Sequence, residues 1–229
     1  MKLLLTSGGI TNDTLAKELE ALAGKPFSEL KIGFIPTASL HSAENKNWLI
    51  QDMSNVRARG ADVFLMSLAD LEEHEILQRL EAVDVILMGG GNNYYLSYML
   101  QQKGLFDALP ELLKTKVYMG ISAGSMIMAP SAQLTSNALN AGTFRDPDDD
   151  SGEPEGKTSA RTLSLVDFHI RPHFQSEHFP FSEELIQEVA NEIGATVYML
   201  DDDCAVRVVD DEVTVVGEGE WRLITPEGK

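Results

Sequence analysis

Val117-Tyr118-Met119-Gly120-Ile121-Ser122-Ala123-Gly124-Ser125-Met126-Ile127-Met128 is the stretch on which the reading of this chain turns. An apolar strand, Val117–Ile121, runs into a turn of small residues and then into a buried-helix pattern. The turn is G-x-S-x-G, and its meaning comes from that strand–turn–helix setting. A sharp turn strains the serine backbone and lifts the hydroxyl off the sheet edge. The free N–H groups of the following helix then point at the same place, where they favour developing negative charge. Ser122 is thus a candidate nucleophile, and Ser125, inside the helix start, a capping or packing group.

Upstream, apolar strands alternate with amphipathic helices. Strands are expected at Lys2–Thr6, Lys31–Ile35, Asp62–Ser67 and Val83–Met88, before the one that ends at Ile121. Helices are expected at about 13–23 (N-capped by Asn12), 43–59, 71–80 and, as one or two pieces, 94–115. Five β–α units in succession predict a mostly parallel sheet with helices on both faces. Val85–Met88 is apolar at every position, as befits a strand covered on both sides. Downstream, the acidic stretch Thr135–Ala160 reads as a long surface excursion. A strand at Leu163–Ile170 and a helix at Ser182–Ile193 follow, then short strands at 196–200, 204–209, 212–216 and 221–224. Residues 1–229 thus read as a single α/β domain, a three-layer sandwich with a C-terminal β extension.

Composition narrows the function classes. The 229 residues carry 18 Lys and Arg against 36 Asp and Glu, a formal net charge of −18. That field repels nucleic acid and anionic membranes. No apolar run approaches the roughly 20 residues of a membrane helix or the ~7–15 of a secretory core, so a cytoplasmic protein is expected. The single cysteine, Cys204, rules out an internal disulfide and reads as a buried structural thiol.

A serine nucleophile needs a base. His74 sits among glutamates and reads as solvated. His41 follows the second strand and could line the site. His169 lies within its strand and reads as packing. His173 follows Pro172, which breaks that strand, and is the preferred base, with His178 the alternative. Oxyanion stabilisation needs two N–H donors. Ala123, next to the nucleophile, can supply one, and Gly89-Gly90-Gly91-Asn92 at the end of the fourth strand can supply the other.

Gly89-Gly90-Gly91-Asn92, Gly120-Ile121-Ser122-Ala123-Gly124 and Pro172-His173-Phe174 together resemble the aspartyl dipeptidase (peptidase E) family of serine peptidases, which includes cyanophycinase. The resemblance runs over roughly residues 1–216. It implies a class I glutamine amidotransferase-like sandwich, with Ser122 as nucleophile, His173 as general base and the Gly91 and Ala123 amides as oxyanion hole. The expected reaction is hydrolysis of a small peptide through an acyl-enzyme, with no metal or organic cofactor.

Two departures stand out. The family's third catalytic residue is an acid about fifteen positions after the serine, where this chain has Asn137. Asn137 is placed first for that role, with Asp167 and Glu177 as alternatives. The family's Gly-Glu-Thr-Arg segment, whose arginine fits an acidic side chain, is replaced by Gln175-Ser176-Glu177-His178. A preference for N-terminal aspartate is therefore not expected.

Asp146, Asp148 and Asp150 have the spacing of a calcium loop, but Ser151 and Lys157 stand where glycine and glutamate belong, so a solvated loop is expected. Asp201-Asp202-Asp203 reads as a turn near the sheet edge. Ser7-Gly8-Gly9 does not continue into a dinucleotide motif. The rival reading is a non-catalytic binding protein on the same scaffold, kept open by Asn137. A glutaminase would want a cysteine at the elbow. The partner expected is a small peptide, and a homodimer is left open.

Overall fold

The computed structural model describes residues 1–43, 45–135 and 156–227. Strands β1 (Lys2–Thr6), β2 (Lys31–Ile35), β3 (Asp62–Leu65), β4 (Val85–Met88) and β5 (Val117–Ile121) pair in parallel. With β8 (Cys204–Val209) and β9 (Glu212–Gly217) they make a seven-stranded sheet in the order β3-β2-β4-β5-β1-β8-β9. β8 and β9 join it antiparallel, so the sheet is mixed but mostly parallel.

Alternation along the strands divides the core. Leu3, Leu5, Ile86 and Met88 face α3 (Glu73–Glu81), α4 (Asn93–Gln102) and α5 (Leu105–Leu112). Leu4, Phe34, Leu87 and Met119 face α1 (Asp13–Ala23) and α2 (Asn47–Ala58). β1, β2, β4 and β5 are covered on both faces, which is why they are apolar nearly throughout. α1 has the expected ends: the Asn12 side chain accepts from the Leu15 amide, and Gly24 closes the helix at φ 69°.

The elbow helix α6 is a single turn, Ala123–Met126. After it the expected strand Leu163–Ile170 shrinks to β6, His169–Arg171. The Leu163 and Leu165 amides bond instead to the Ile127 and Met128 carbonyls, so this segment packs on the end of the elbow helix. β6 also belongs elsewhere than expected. It pairs with β7 (Val197–Leu200), which pairs with β10 (Trp221–Ile224), in a second sheet ordered β10-β7-β6. The C-terminal strands are therefore shared between two sheets. α7 (Glu183–Ile193), N-capped by Ser182 as expected, closes the small sheet's core with Ile186 and Ala190 against Val197 and Met199. Asn137 and the acidic residues 146–150 lie outside the described residues.

Candidate active site

Register sets the site. Thr6, the last residue of β1, is opposite Ile121 of β5 on one side and Ala205 of β8 on the other. The end of β5, the end of β1 and the start of β8 therefore meet at one edge. Ser122 and Ser7 follow their strands by one residue, and Asp202 precedes its strand by two.

Ser122 has φ 48° and ψ −110°, a strained conformation for a residue with a β-carbon. Its amide is shared between the Thr6 and Ser7 carbonyls at 3.1 Å each. The elbow glycines are needed for space. A β-carbon on Gly120 would come within 2.6 Å of the Gly124 carbonyl oxygen, and one on Gly124 would overlap the Met88 carbonyl. Buried Tyr118 donates to the Gly124 carbonyl (2.6 Å), and Ser125 donates to Thr6 (2.7 Å), the packing role expected of it.

His173 lies two residues past β6 with φ 60°. Its Nε2 is 2.9 Å from Ser122 Oγ and its Nδ1 is 2.7 Å from Asp202 Oδ1. Packing around Asp202 pushes its acidity down, but the bond and charge of His173 and a bond from Ser7 prevail. The carboxyl is held below its ordinary range. An ionised carboxylate only accepts, so Nδ1 carries the proton and donates to Asp202. Nε2 is left as an acceptor for the Ser122 hydroxyl. Ser7 ties the group together: its Oγ accepts from the His173 amide (2.8 Å) and donates to Asp202 Oδ1 (2.8 Å). Phe179 stacks on the imidazole at 4.5 Å between centroids, 18° from parallel. A β-carbon on Gly8 would lie 2.8 Å from the Asp202 β-carbon, so the first turn must be bare there.

The third partner of Ser122 and His173 is therefore Asp202. Asp167 lies near Tyr198, whose phenol it helps to raise, and no bond from Glu177 reaches His173. Sequence reasoning had Asp202 in hand only as one of three acids in a turn. The signal available was weak: an acid just past one short strand and just before another.

The glycine loop runs alongside the serine. A β-carbon on Gly90 would stand 3.2 Å from that of Ser122. Gly91 has φ 129°, and a side chain there would overlap the Ala38 carbonyl, to which the Asn92 amide also donates (2.9 Å). Ala123 opens α6, so its amide has no carbonyl one turn back to bond. Gly90, Gly91 and Ser122 line a cavity of about 600 Å³, while Ala123 is fully buried behind the serine.

His41 and His178 also line this cavity. His74 is exposed on α3, and His169 is buried beside Ser131, so neither is a base for Ser122. Cys204 is a buried free thiol, pushed up to about 12 chiefly by that burial. Asp52 of α2 is a further cavity residue that sequence reading passed over. Burial, then the Asp202 charge, raises its carboxyl to about 7. Among the described residues no group of three or more His, Cys, Asp or Glu could hold a metal ion, and no helix is long and apolar enough to cross a membrane.

The chain is 29% identical to peptidase E of Streptomyces coelicolor, over 97% of this chain and 87% of that protein. It is 27% identical to a Drosophila melanogaster protein named "Probable alpha-aspartyl dipeptidase", over 66% of this chain and 60% of that one. Its fold superposes on a Listeria monocytogenes crystal structure described as a "Putative Peptidase E Protein" with a TM-score of 0.72, at 24% identity, over 95% of this chain and 98% of that chain. The resemblance drawn from three short motifs thus extends along the chain. Residues 3–216 match peptidase family S51, and the chain belongs to that family and is a peptidase.

Proposed function

We propose that this peptidase hydrolyses small peptides by acyl transfer, with Ser122 as nucleophile, His173 as general base and Asp202 as the acid that orients it. The observation that carries this reading is the pair of bonds on one imidazole, to Ser122 Oγ and to Asp202 Oδ1. Ser122 Oγ attacks the scissile carbonyl while Nε2 takes its proton. The imidazolium that forms is stabilised by Asp202. The oxyanion falls to the Gly91 and Ala123 amides. Nε2–H then protonates the leaving amine, and water repeats the sequence on the acyl-enzyme.

Asn137 in the family's acid position was the ground for a non-catalytic reading. With a carboxylate on Nδ1, that ground falls away. The names of the relatives support a dipeptidase-like substrate size. The same reading takes residues 1–229 as one domain of the class I glutamine amidotransferase-like sandwiches. The elbow at the end of a central parallel strand supports it. It also takes the protein as cytoplasmic, in keeping with a single, buried cysteine. Hydrolysis of a dipeptide panel, followed by amine release, tests the reading. Wild type is expected to turn over at least one member and Ser122→Ala none; equal rates would refute it.

A further inference from the structure

Ser122 and Asp202 account for both nitrogens of the His173 imidazole. One face of that ring is covered by Phe179, at 4.5 Å between centroids and 18° from parallel. The cover is built by a compact run of turns. His173 and Gln175 have φ 60° and 64°, which residues with a β-carbon adopt only where the surroundings hold them. The Phe174 amide donates to the Leu200 carbonyl (2.9 Å), anchoring the run to the end of β7. The Ser176 amide donates back to the His173 carbonyl (3.1 Å), and the Phe179 amide to that of Ser176 (3.2 Å). The chain thus doubles back within six residues and lays a phenyl ring on the histidine it has just passed.

Three phenylalanines lie between His173 and Ser182, and each meets a group that is, or can become, a cation. The Arg222 guanidinium stands 5.4 Å from the ring centre of Phe174, and the Arg171 guanidinium 4.0 Å from that of Phe181. These two rings pack on the core of the small sheet. Phe179 meets His173 instead, and lines the active-site cavity. A neutral imidazole gains mainly dispersion from such a stack. An imidazolium gains the pull of the ring's negative face as well. The His173 side chain is only 18% exposed, so water screens that pull little. The stack is therefore stronger once Nε2 has taken a proton than before, which is the preference that speeds a reaction.

We propose that Phe179 is a positioning residue of the reaction: it holds the imidazole in the plane that puts Nε2 on Ser122, and it stabilises the imidazolium formed there. This rests on the acyl-transfer reading of Ser122 and adds a fourth side chain to it. Asp202 stabilises the cation from its Nδ1 edge, and Phe179 does so from its face. Asp52, Lys46, Arg171, His41 and His178 are the other charged or titratable groups on the described cavity lining. They are common to every Phe179 variant, so a difference between variants reports the ring.

The rate of fluorophosphonate labelling reads this step without a known substrate. Ser122 Oγ attacks phosphorus, the P–F bond breaks, fluoride leaves, and the hydroxyl proton passes to Nε2. Maximal rate and half-saturating concentration are measured across the pH range in which histidine titrates. Phe179→Leu removes the ring but keeps an apolar side chain. It is expected to lower the maximal rate about threefold to thirtyfold, with the half-saturating concentration unchanged. Its acid limb moves down by about half to one pH unit, because the imidazolium has lost a stabilising neighbour. Phe179→Tyr should restore the rate to within about twofold of wild type and return the limb to its place. Phe179→pentafluorophenylalanine keeps the ring's shape but reverses its charge pattern, and should lose at least as much as Phe179→Leu. It decides the matter even where the leucine variant folds poorly. The proposal is overturned if either of these two variants labels like wild type, if only the half-saturating concentration changes, or if Phe179→Tyr fails to rescue. Wild type that takes no label refutes the acyl-enzyme reading and this role with it. Wild type that labels no faster than Phe179→Leu refutes the role alone.

Discussion

The Ser7 hydroxyl accepts a hydrogen bond from the backbone amide of His173 at 2.8 Å, across 166 residues of chain. It donates its own proton to Asp202 at the same distance. One small side chain at the end of β1 thus holds both the histidine's backbone and the acid's oxygen. Ser7 touches no reacting atom and acts as a positioning residue. Ser7→Ala is expected to lower kcat about tenfold, the loss of one hydrogen bond to a charged group. KM should change little, and the acid limb of the pH–rate profile should move upward as Asp202 loses a donor. Steady-state kinetics over pH checks both.

Asp202→Asn should be far more damaging. Replacing the acid of a serine triad costs about 10³–10⁴ in kcat, because the histidine is no longer held in the productive tautomer. Asn137→Ala, by contrast, should leave kcat within about threefold, since His173 Nδ1 already has its partner. A collapse of kcat in Asn137→Ala with Asp202→Asn unaffected would reverse the assignment.

Much of this was legible in the sequence, and the failure at Asp202 shows where legibility stops. β1, β2, β5 and α1 have the ends that their apolar patterns, caps and breakers predict. The elbow was readable because strand, glycines and helix are contiguous. His173 was readable because a proline stops its strand. Asp202 belongs to the site through pairings that span the chain: after β7 the chain must leave the small sheet and lay β8 against β1 before the acid reaches the histidine. No local pattern encodes that crossing, and three adjacent aspartates look like a solvated turn. Of the expected Leu163–Ile170 strand only the end joins a ladder, as part of β6; Leu163 and Leu165 bond instead to carbonyls just past the elbow helix, a long-range pairing that local pattern does not encode.

The elbow's support should be measurable as stability. Tyr118→Phe removes the donor to the buried Gly124 carbonyl while keeping the ring. A loss of about 1–3 kcal/mol is expected in denaturant unfolding. Gly91→Ala should cost at least as much and abolish turnover, because the residue combines φ 129° with no room for a side chain.

Asp52 makes stability depend on pH with a definite sign. Its carboxyl is raised to about 7 in the folded protein from an ordinary 3.8. The folded state therefore favours the protonated form. The resulting stabilisation is complete below the ordinary value and lost as pH rises through about 7. Asp52→Asn, which cannot ionise, should melt roughly 3–8 °C above wild type at pH 8. The difference should vanish near pH 4. Thermal melts at the two pH values check it. A lower melting temperature for the variant at pH 8 would mean that Asp52 is held by a favourable partner in the free protein.

Covalent labelling tests the central claim most directly. Wild type, Ser122→Ala and Asp202→Asn are treated with a fluorophosphonate, and the adducts are counted by intact mass and mapped by peptide sequencing. The Ser122–His173–Asp202 arrangement predicts a single adduct on Ser122 in wild type, none in Ser122→Ala and strongly slowed labelling in Asp202→Asn. Equal labelling of all three proteins, or an adduct mapped to another residue, would contradict it.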